Sequence, residues 1–251
     1  MNKWLHGFAT VAILEFKGDE LGSVRRWISL LTNPVSYLCF LGVGLAAQLG
    51  GSEYLAFLLP GVIVIQAISS MSSLIYRVVL ERRWGLAALK LQAGVARSAY
   101  LLGLLSAPLV VYMARVLVLL TLGMVLSAPM SLVMWVNGLL TSLIAAVFWS
   151  LVGIVVAASI KDYRTRDFVV GLLMTPLMFA APTFYPLDAA PAFLRIIARM
   201  NPLTYQVELL RSAMQGTLNV PALAISCALV LVAAVAAASY VRAMRKLSFE
   251  A

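Results

Sequence analysis

The sequence predicts an all-α integral membrane protein: six transmembrane helices, an interfacial amphipathic helix at the N-terminus, and outer re-entrant helices before the last span. Three observations lead there. Of 251 residues, 63% are hydrophobic and 12% charged, where a soluble domain carries about 25% charged residues. Apolar stretches of about 20 residues, the length a bilayer crossing needs, recur along the chain. Lysines and arginines gather between alternate stretches. No polar segment is long enough to build a separate soluble domain, so residues 1–251 read as one transmembrane unit.

Residues 3–17 are too short and too mixed to span. Trp4, Phe8, Val11, Ala12 and Phe16 share one helical face, as in a helix lying at the interface, and the interfacial segment is placed at 3–26. His6 has no second histidine to pair with and reads as a headgroup-level residue. Glu15, Lys17, Asp19 and Glu20 interrupt the apolar region, which argues against a cleavable signal peptide.

Spans are predicted at 27–49, with Pro34 near its start, and at 54–76, 99–127, 132–160 and 220–241. A sixth stretch, 168–184, is just long enough and carries Pro176 and Pro182. Proline removes a backbone donor and clashes with the preceding turn. In lipid the loosened backbone is tolerated only where protein or a water-filled cavity covers it. Two short re-entrant helices follow within 185–216. Asn201 precedes Pro202 and is pushed out of helical geometry, so one helix ends near Met200. Asn201 then caps the next helix, with Pro202 at its first position, and Gly216 stops it. The spacing of Leu203, Val207, Leu210 and Met214 predicts a buried face.

Of the nineteen lysines and arginines, fifteen fall on the side of the two termini. Arg195, Arg199 and Arg211 fall on the other, and Arg115 lies inside a span. The positive-inside rule places both termini in the cytoplasm. Basic residues between spans meet lipid headgroups, so the formal charge of +9 is no argument for nucleic-acid binding. Cys39 and Cys227 sit in separate apolar segments and read as small hydrophobes, with no disulfide or metal spacing.

The longest cytoplasmic loop is 77–98. Its middle, 81–91, is amphipathic: Trp84, Ala87, Ala88 and Leu91 share a face, with Arg82, Arg83 and Lys90 elsewhere. Two readings stand, a helix resting on anionic lipid and a handle for a cytoplasmic partner. Arg115 costs about 2.5–3.5 kcal/mol at mid-bilayer and must face protein. Glu208 and helix-end carbonyls are its candidate partners, in a structural or a substrate-facing role.

The chain holds no GxxxxGK[ST], HExxH, CxxC or GxSxG motif. It is therefore read as no enzyme, with no catalytic residue, no metal site and no cofactor of its own. The five clean spans hold no carboxylate, which ion-coupled transporters usually need. The energy then comes from a separate subunit. The rival from another class is a channel or a secondary transporter driven by an ion gradient.

Several motifs carry a resemblance. Tyr54 to Gly61 reads YLAFLLPG, with Pro60 and Gly61 opening the second span. Phe184-Tyr185-Pro186-Leu187 is followed by Pro191, then by Asn201-Pro202-Leu203-Thr204-Tyr205 and Arg211. This spacing resembles the ABC-2 class of transporter permeases over almost the whole chain. Within it, the short bacterial drug- and lipid-type exporters are the most similar, including daunorubicin-resistance and nodulation lipo-oligosaccharide permeases. The resemblance implies two six-span copies, a homodimer, in the bacterial inner membrane. Two cytoplasmic ABC ATPase subunits would dock beneath them and hold the ATP and Mg. The 77–98 loop would carry the coupling helix, with Glu81, Arg82, Arg83, Trp84 and Leu86 at the contact. Pro182, Phe184, Tyr185, Pro186, Asn201, Pro202, Tyr205 and Arg211 would belong to the outer gate. The substrate would be a drug-like molecule or lipid moving outward, with a polysaccharide or lipid-linked glycan as the alternative. Many members have a proline soon after the loop glutamate. None follows Glu81 here, so the coupling helix departs from the family pattern.

Overall fold

The computed structural model describes residues 3–49, 51–126, 131–160 and 162–247, and every regular element among them is helical. Helix α1 (Lys3–Gly18) lies along α6 (Arg97–Leu126). Its inner face is Gly7, Val11, Ala12 and Glu15, while Leu5, Ile13 and Leu14 point away and are exposed. The contact is close: a Cβ at Gly103 would meet Val11 Cγ1 at 2.5 Å. This helix is therefore docked onto a neighbouring helix as well as amphipathic, and it stops short of the 3–26 segment. The chain turns at 19–23, where Glu20 takes a φ of +52°.

The first span is composite: α2 (Val24–Ser36), a π-helical stretch (Tyr37–Val43) and α3 (Gly44–Leu49). Pro34 removes one rung of the helical ladder just before the wider π turns, and such bulges recur where a ladder is interrupted.

Helix α4 (Ser52–Arg83) is the axis of the molecule. Its apolar window is 78% buried, against 22% for the first span and for α11 (Val220–Leu247). At 32 residues it is about 48 Å long, longer than the roughly 30 Å hydrocarbon core. Around it pack α6, α7 (Leu132–Ser159) and α10 (Pro202–Met214), with α11 against α7. A Cβ at Gly153 of α7 would lie 2.7 Å from Met71 O, so a small residue there lets two backbones meet, as membrane helix pairs commonly do.

Five helices among the described residues are long and apolar enough to cross a membrane. The sixth predicted stretch, 168–184, differs. Its helix, α8 (Tyr163–Ala180), begins among Arg164, Arg166 and Asp167 and ends at Ala180. The 13 uncharged residues from 168 to 180 reach only about 20 Å. Pro182 explains the end: it pushes Ala181 out of helical geometry, to φ −82° and ψ 155°.

The 77–98 loop is shorter than read. Helix α4 runs on through Arg83 and α6 begins at Arg97, leaving α5 (Leu86–Gln92) and its turns. On the outer side, α9 (Ala192–Met200) and α10 meet at Asn201, which caps α10 by accepting from Leu203 N at 3.0 Å. Leu203, Val207, Leu210 and Met214 are all buried, as their spacing predicts. Gly216 closes the element at φ +76°. Gly50, Lys161 and most of the outer connection read at 128–131 lie outside the described residues.

Candidate functional site

Three constellations are arranged around α4. The first is at its C-terminal end. Glu81 was read as a loop residue, but it lies on α4 and is 2% exposed. Its Oε2 accepts from Tyr100 Oη at 2.8 Å, and its Oε1 pairs with Lys90 of α5. Lys90 also reaches Glu15 of α1 at 3.4 Å, and Glu15 pairs with Arg77 at 2.7 Å. Four helices are thus tied by two buried carboxylates and two cations. Burial pushes the Glu15 carboxyl up to about 7, helped by the neighbouring Glu81 and opposed by Arg77 and Lys90.

This arrangement corrects the amphipathic face read for 81–91. Ala87 and Lys90 turn inward, and the exposed apolar side chains are Trp84 and Leu89. Leu86 is half-buried and Arg83 exposed. Arg82 is tied to α7: its Nη1 donates to Ala158 O at 3.2 Å, a carbonyl in the last turn that the helix itself leaves open. Gly85, at φ +69°, makes the reversal between α4 and α5, a conformation that costs a side-chain-bearing residue.

The second constellation is at the N-terminal end of α4. A Cβ at Gly61 would meet Thr183 Cγ2 at 2.6 Å and Thr183 O at 2.8 Å, so the glycine next to Pro60 admits the outer loop against the helix. Arg211 donates to Phe57 O at 3.3 Å and Pro182 O at 3.0 Å, and its guanidinium sits 4.0 Å from the Phe57 ring centre. Tyr54 Oη donates to Phe184 O at 3.3 Å.

The remaining motif residues satisfy helix-end carbonyls, which carry no partner of their own. Asn201 Nδ2 donates to Leu177 O at 2.7 Å and Tyr185 Oη to Phe179 O at 2.6 Å, both in the last turn of α8. Thr204 donates to Ala198 O and Tyr205 to Arg199 O at the end of α9. Pro202 fills the first position of α10. Pro186 is exposed and leads into a short 3-10 turn. An outer pocket of about 450 Å³ opens between Phe57, Arg195, Arg199, Glu208 and Arg211.

The third constellation is a polar cavity beside the C-terminal half of α4, between α1, α2, α4, α6 and α8. Arg115 lines it and donates from Nε to Leu30 O at 3.2 Å. Leu30 is four residues before Pro34, so its carbonyl is the one that proline leaves without a donor. Neither Glu208 nor a helix-end carbonyl is the partner of Arg115; the carbonyl it holds is one opened inside α2 by Pro34.

Glu15, Arg77, Lys90 and Tyr100 were not read as a group. One local signal was available. Glu15 follows Val11 by four residues, which puts a carboxylate on the packed stripe of α1, where an unpaired charge is costly.

Comparison with known proteins adds to this geometry. The model of the ABC-2 type transporter family matches residues 13–215. The chain is 25% identical over 210 residues to the inner membrane transport permease YadH of Escherichia coli (strain K12), covering 79% of this chain and 80% of that one. It is 27% identical over 194 residues to Nodulation protein J of Rhizobium leguminosarum bv. trifolii, covering 74% and 72%. A second Nodulation protein J, from Rhizobium meliloti (strain 1021), is 25% identical over 212 residues, covering 81% and 78%.

Proposed function

The chain belongs to the ABC-2 type transporter family, and from that premise we propose that it is the export permease of an ATP-driven complex in the inner membrane. It is a multi-pass membrane protein of an ABC transporter. In this reading it moves an amphipathic or hydrophobic substrate outward, and a separate ABC ATPase hydrolyses the nucleotide. Two copies of this chain pair above two ATPase subunits. Helix α8 and the 181–187 segment together complete a sixth crossing, which puts both termini in the cytoplasm, in line with the lysine and arginine count.

The observation that carries the reading is the base of α4. Trp84 and Leu89 stand 65% and 63% exposed on the cytoplasmic loop. Directly behind them, ion pairs bind α5 to α4 and α1. An apolar contact on a braced helix is what a partner needs in order to push on the membrane helices. Trp84 is then a buried anchor in the complex, costing about 2 kcal/mol or more when truncated.

The test is copurification with the ATPase encoded beside this chain, together with its stimulated hydrolysis. Trp84→Ala is expected to lose both while the membrane fold stays intact, whereas Arg83→Gln has a smaller, salt-sensitive effect. If Trp84→Ala keeps both, α5 is not the docking element, and the contact falls to the 161–167 loop. Reconstitution separates the classes. Transport by this chain alone, driven by an ion gradient, would reject the permease reading in favour of a secondary transporter or channel.

A further inference from the structure

The cytoplasmic cavity is built for a ligand that the family reading does not specify. Its volume is about 450 Å³, and polar side chains inside a membrane protein ordinarily face such a cavity. Its walls show helical periodicity. On α4 the lining residues are Leu74 and the more polar Ser69, Ser72, Ser73, Tyr76 and Arg77, the last four spaced three, four, seven and eight residues from Ser69. On α2 they are Arg26, Ser29, Leu30 and Asn33. Two polar stripes therefore face one space between spans that are otherwise apolar.

The charge in that space is unbalanced. Four arginines line it, Arg26, Arg77, Arg115 and Arg166, against the carboxylates of Glu15 and Asp19. Both carboxylates are engaged at the mouth: Arg77 pairs with each, at 2.7 Å and 3.8 Å, and Arg26 approaches Asp19 at 3.7 Å. Deeper in, Arg115 forms no ion pair among the described residues and holds only the Leu30 carbonyl. Arg166 pairs with Asp167, which is 68% exposed, and donates to Ser72 Oγ at 3.3 Å. The Nε groups of Arg26 and Arg166 are buried without an acceptor. Guanidinium groups with free donors fit the oxyanions of phosphate or carboxylate, often in pairs of hydrogen bonds.

We propose that this cavity binds the anionic head group of an amphiphile from the cytoplasmic leaflet, with Arg115 and Arg166 as its principal contacts. The assignment rests on the export reading only for the step that follows binding. Helix α8 supplies the neighbouring surface for the tail: Arg166 and Met174 line the cavity, while Phe168 and Leu172 are exposed on the same helix. Two sources share this chemistry, a transported anionic amphiphile and a resident anionic phospholipid.

The test uses the full chain without its ATPase, so it is independent of coupling. Native mass spectrometry reads competition between dioleoylphosphatidylglycerol and dioleoylphosphatidylcholine, which share their tails. The glycerol lipid is expected to be preferred by about tenfold, with the preference reduced in Arg115→Gln and lost in the double variant Arg115→Gln, Arg166→Gln. Arg166→Gln alone tests the site should the Arg115 variants misfold, and Arg199→Gln in the outer pocket is expected to change nothing. No preference in the wild type, or one that survives both Arg166→Gln and the double variant, overturns the proposal. With the ATPase added in phosphatidylcholine liposomes, a labelled phosphatidylglycerol that leaves the inner leaflet on ATP addition identifies a substrate. One that stays bound identifies a resident lipid, and either result keeps the site.

Discussion

At its C-terminal end α4 is held by charge; at its N-terminal end it is held by backbone carbonyls. Glu81 and Arg77 join α1, α5 and α6 through ion pairs and a tyrosine hydroxyl. About 35 Å away along the same helix, Gly61 and Phe57 meet an outer loop through a close backbone approach and an arginine on carbonyls. The difference teaches how each end is tuned. Buried ion pairs depend on protonation and fail badly when one partner is lost. Contacts to open helix-end carbonyls depend on geometry and barely on pH.

The comparison breaks first, and by most, at Glu81. Glu81→Ala leaves Tyr100 Oη without its acceptor and Lys90 with Glu15 alone in a buried site, a loss of about 3–5 kcal/mol. Thermal melting in detergent checks it, and a change within error would mean that the cluster is solvated. At the outer end, Gly61→Ala drives a methyl into the Thr183 backbone, for about 1–3 kcal/mol of overpacking. Its damage is expected to be the same at pH 6 and pH 8.

The smallest effect sharpens the contrast most. The Glu15 carboxyl is raised from 4.5 to about 7 in the fold, so between those values the folded state binds the extra proton. That stabilisation is complete below about 4.5 and lost as pH rises through 7, with a slope of at most about 1 kcal/mol per pH unit. Melting temperature should therefore fall between pH 5 and pH 8, and Glu15→Gln should flatten the profile. A steeper fall in the variant would place the titrating group elsewhere.

The outer end was the more legible in the sequence, for a physical reason. Asn201-Pro202 specifies a helix end, a cap and a first position within five residues, and each follows from local backbone rules. The end of the helix in the sixth stretch follows a similar local rule. Apolar length ran on to 184, but Pro182 had already fixed the end at Ala180. The ionic cluster needs residues from four separate segments, 15, 77–81, 90 and 100, and no local pattern sets their pairing. Arg115 lies between these cases. Pro34 announces an open carbonyl at Leu30, and a charge in mid-bilayer demands an acceptor. Only the fold brings the two together across 85 residues of chain.

In the proposed function, α4 carries a push from the ATPase at its ionic end to the loop at its other end. Hydrogen–deuterium exchange of residues 183–216 tests it directly, in the complex with the ATPase in nanodiscs, with and without ATP. The account predicts that ATP changes exchange in this segment. It also predicts that Lys90→Met abolishes the change while the ATPase stays bound through Trp84. An ATP-dependent change that persists undiminished in Lys90→Met would contradict the claim.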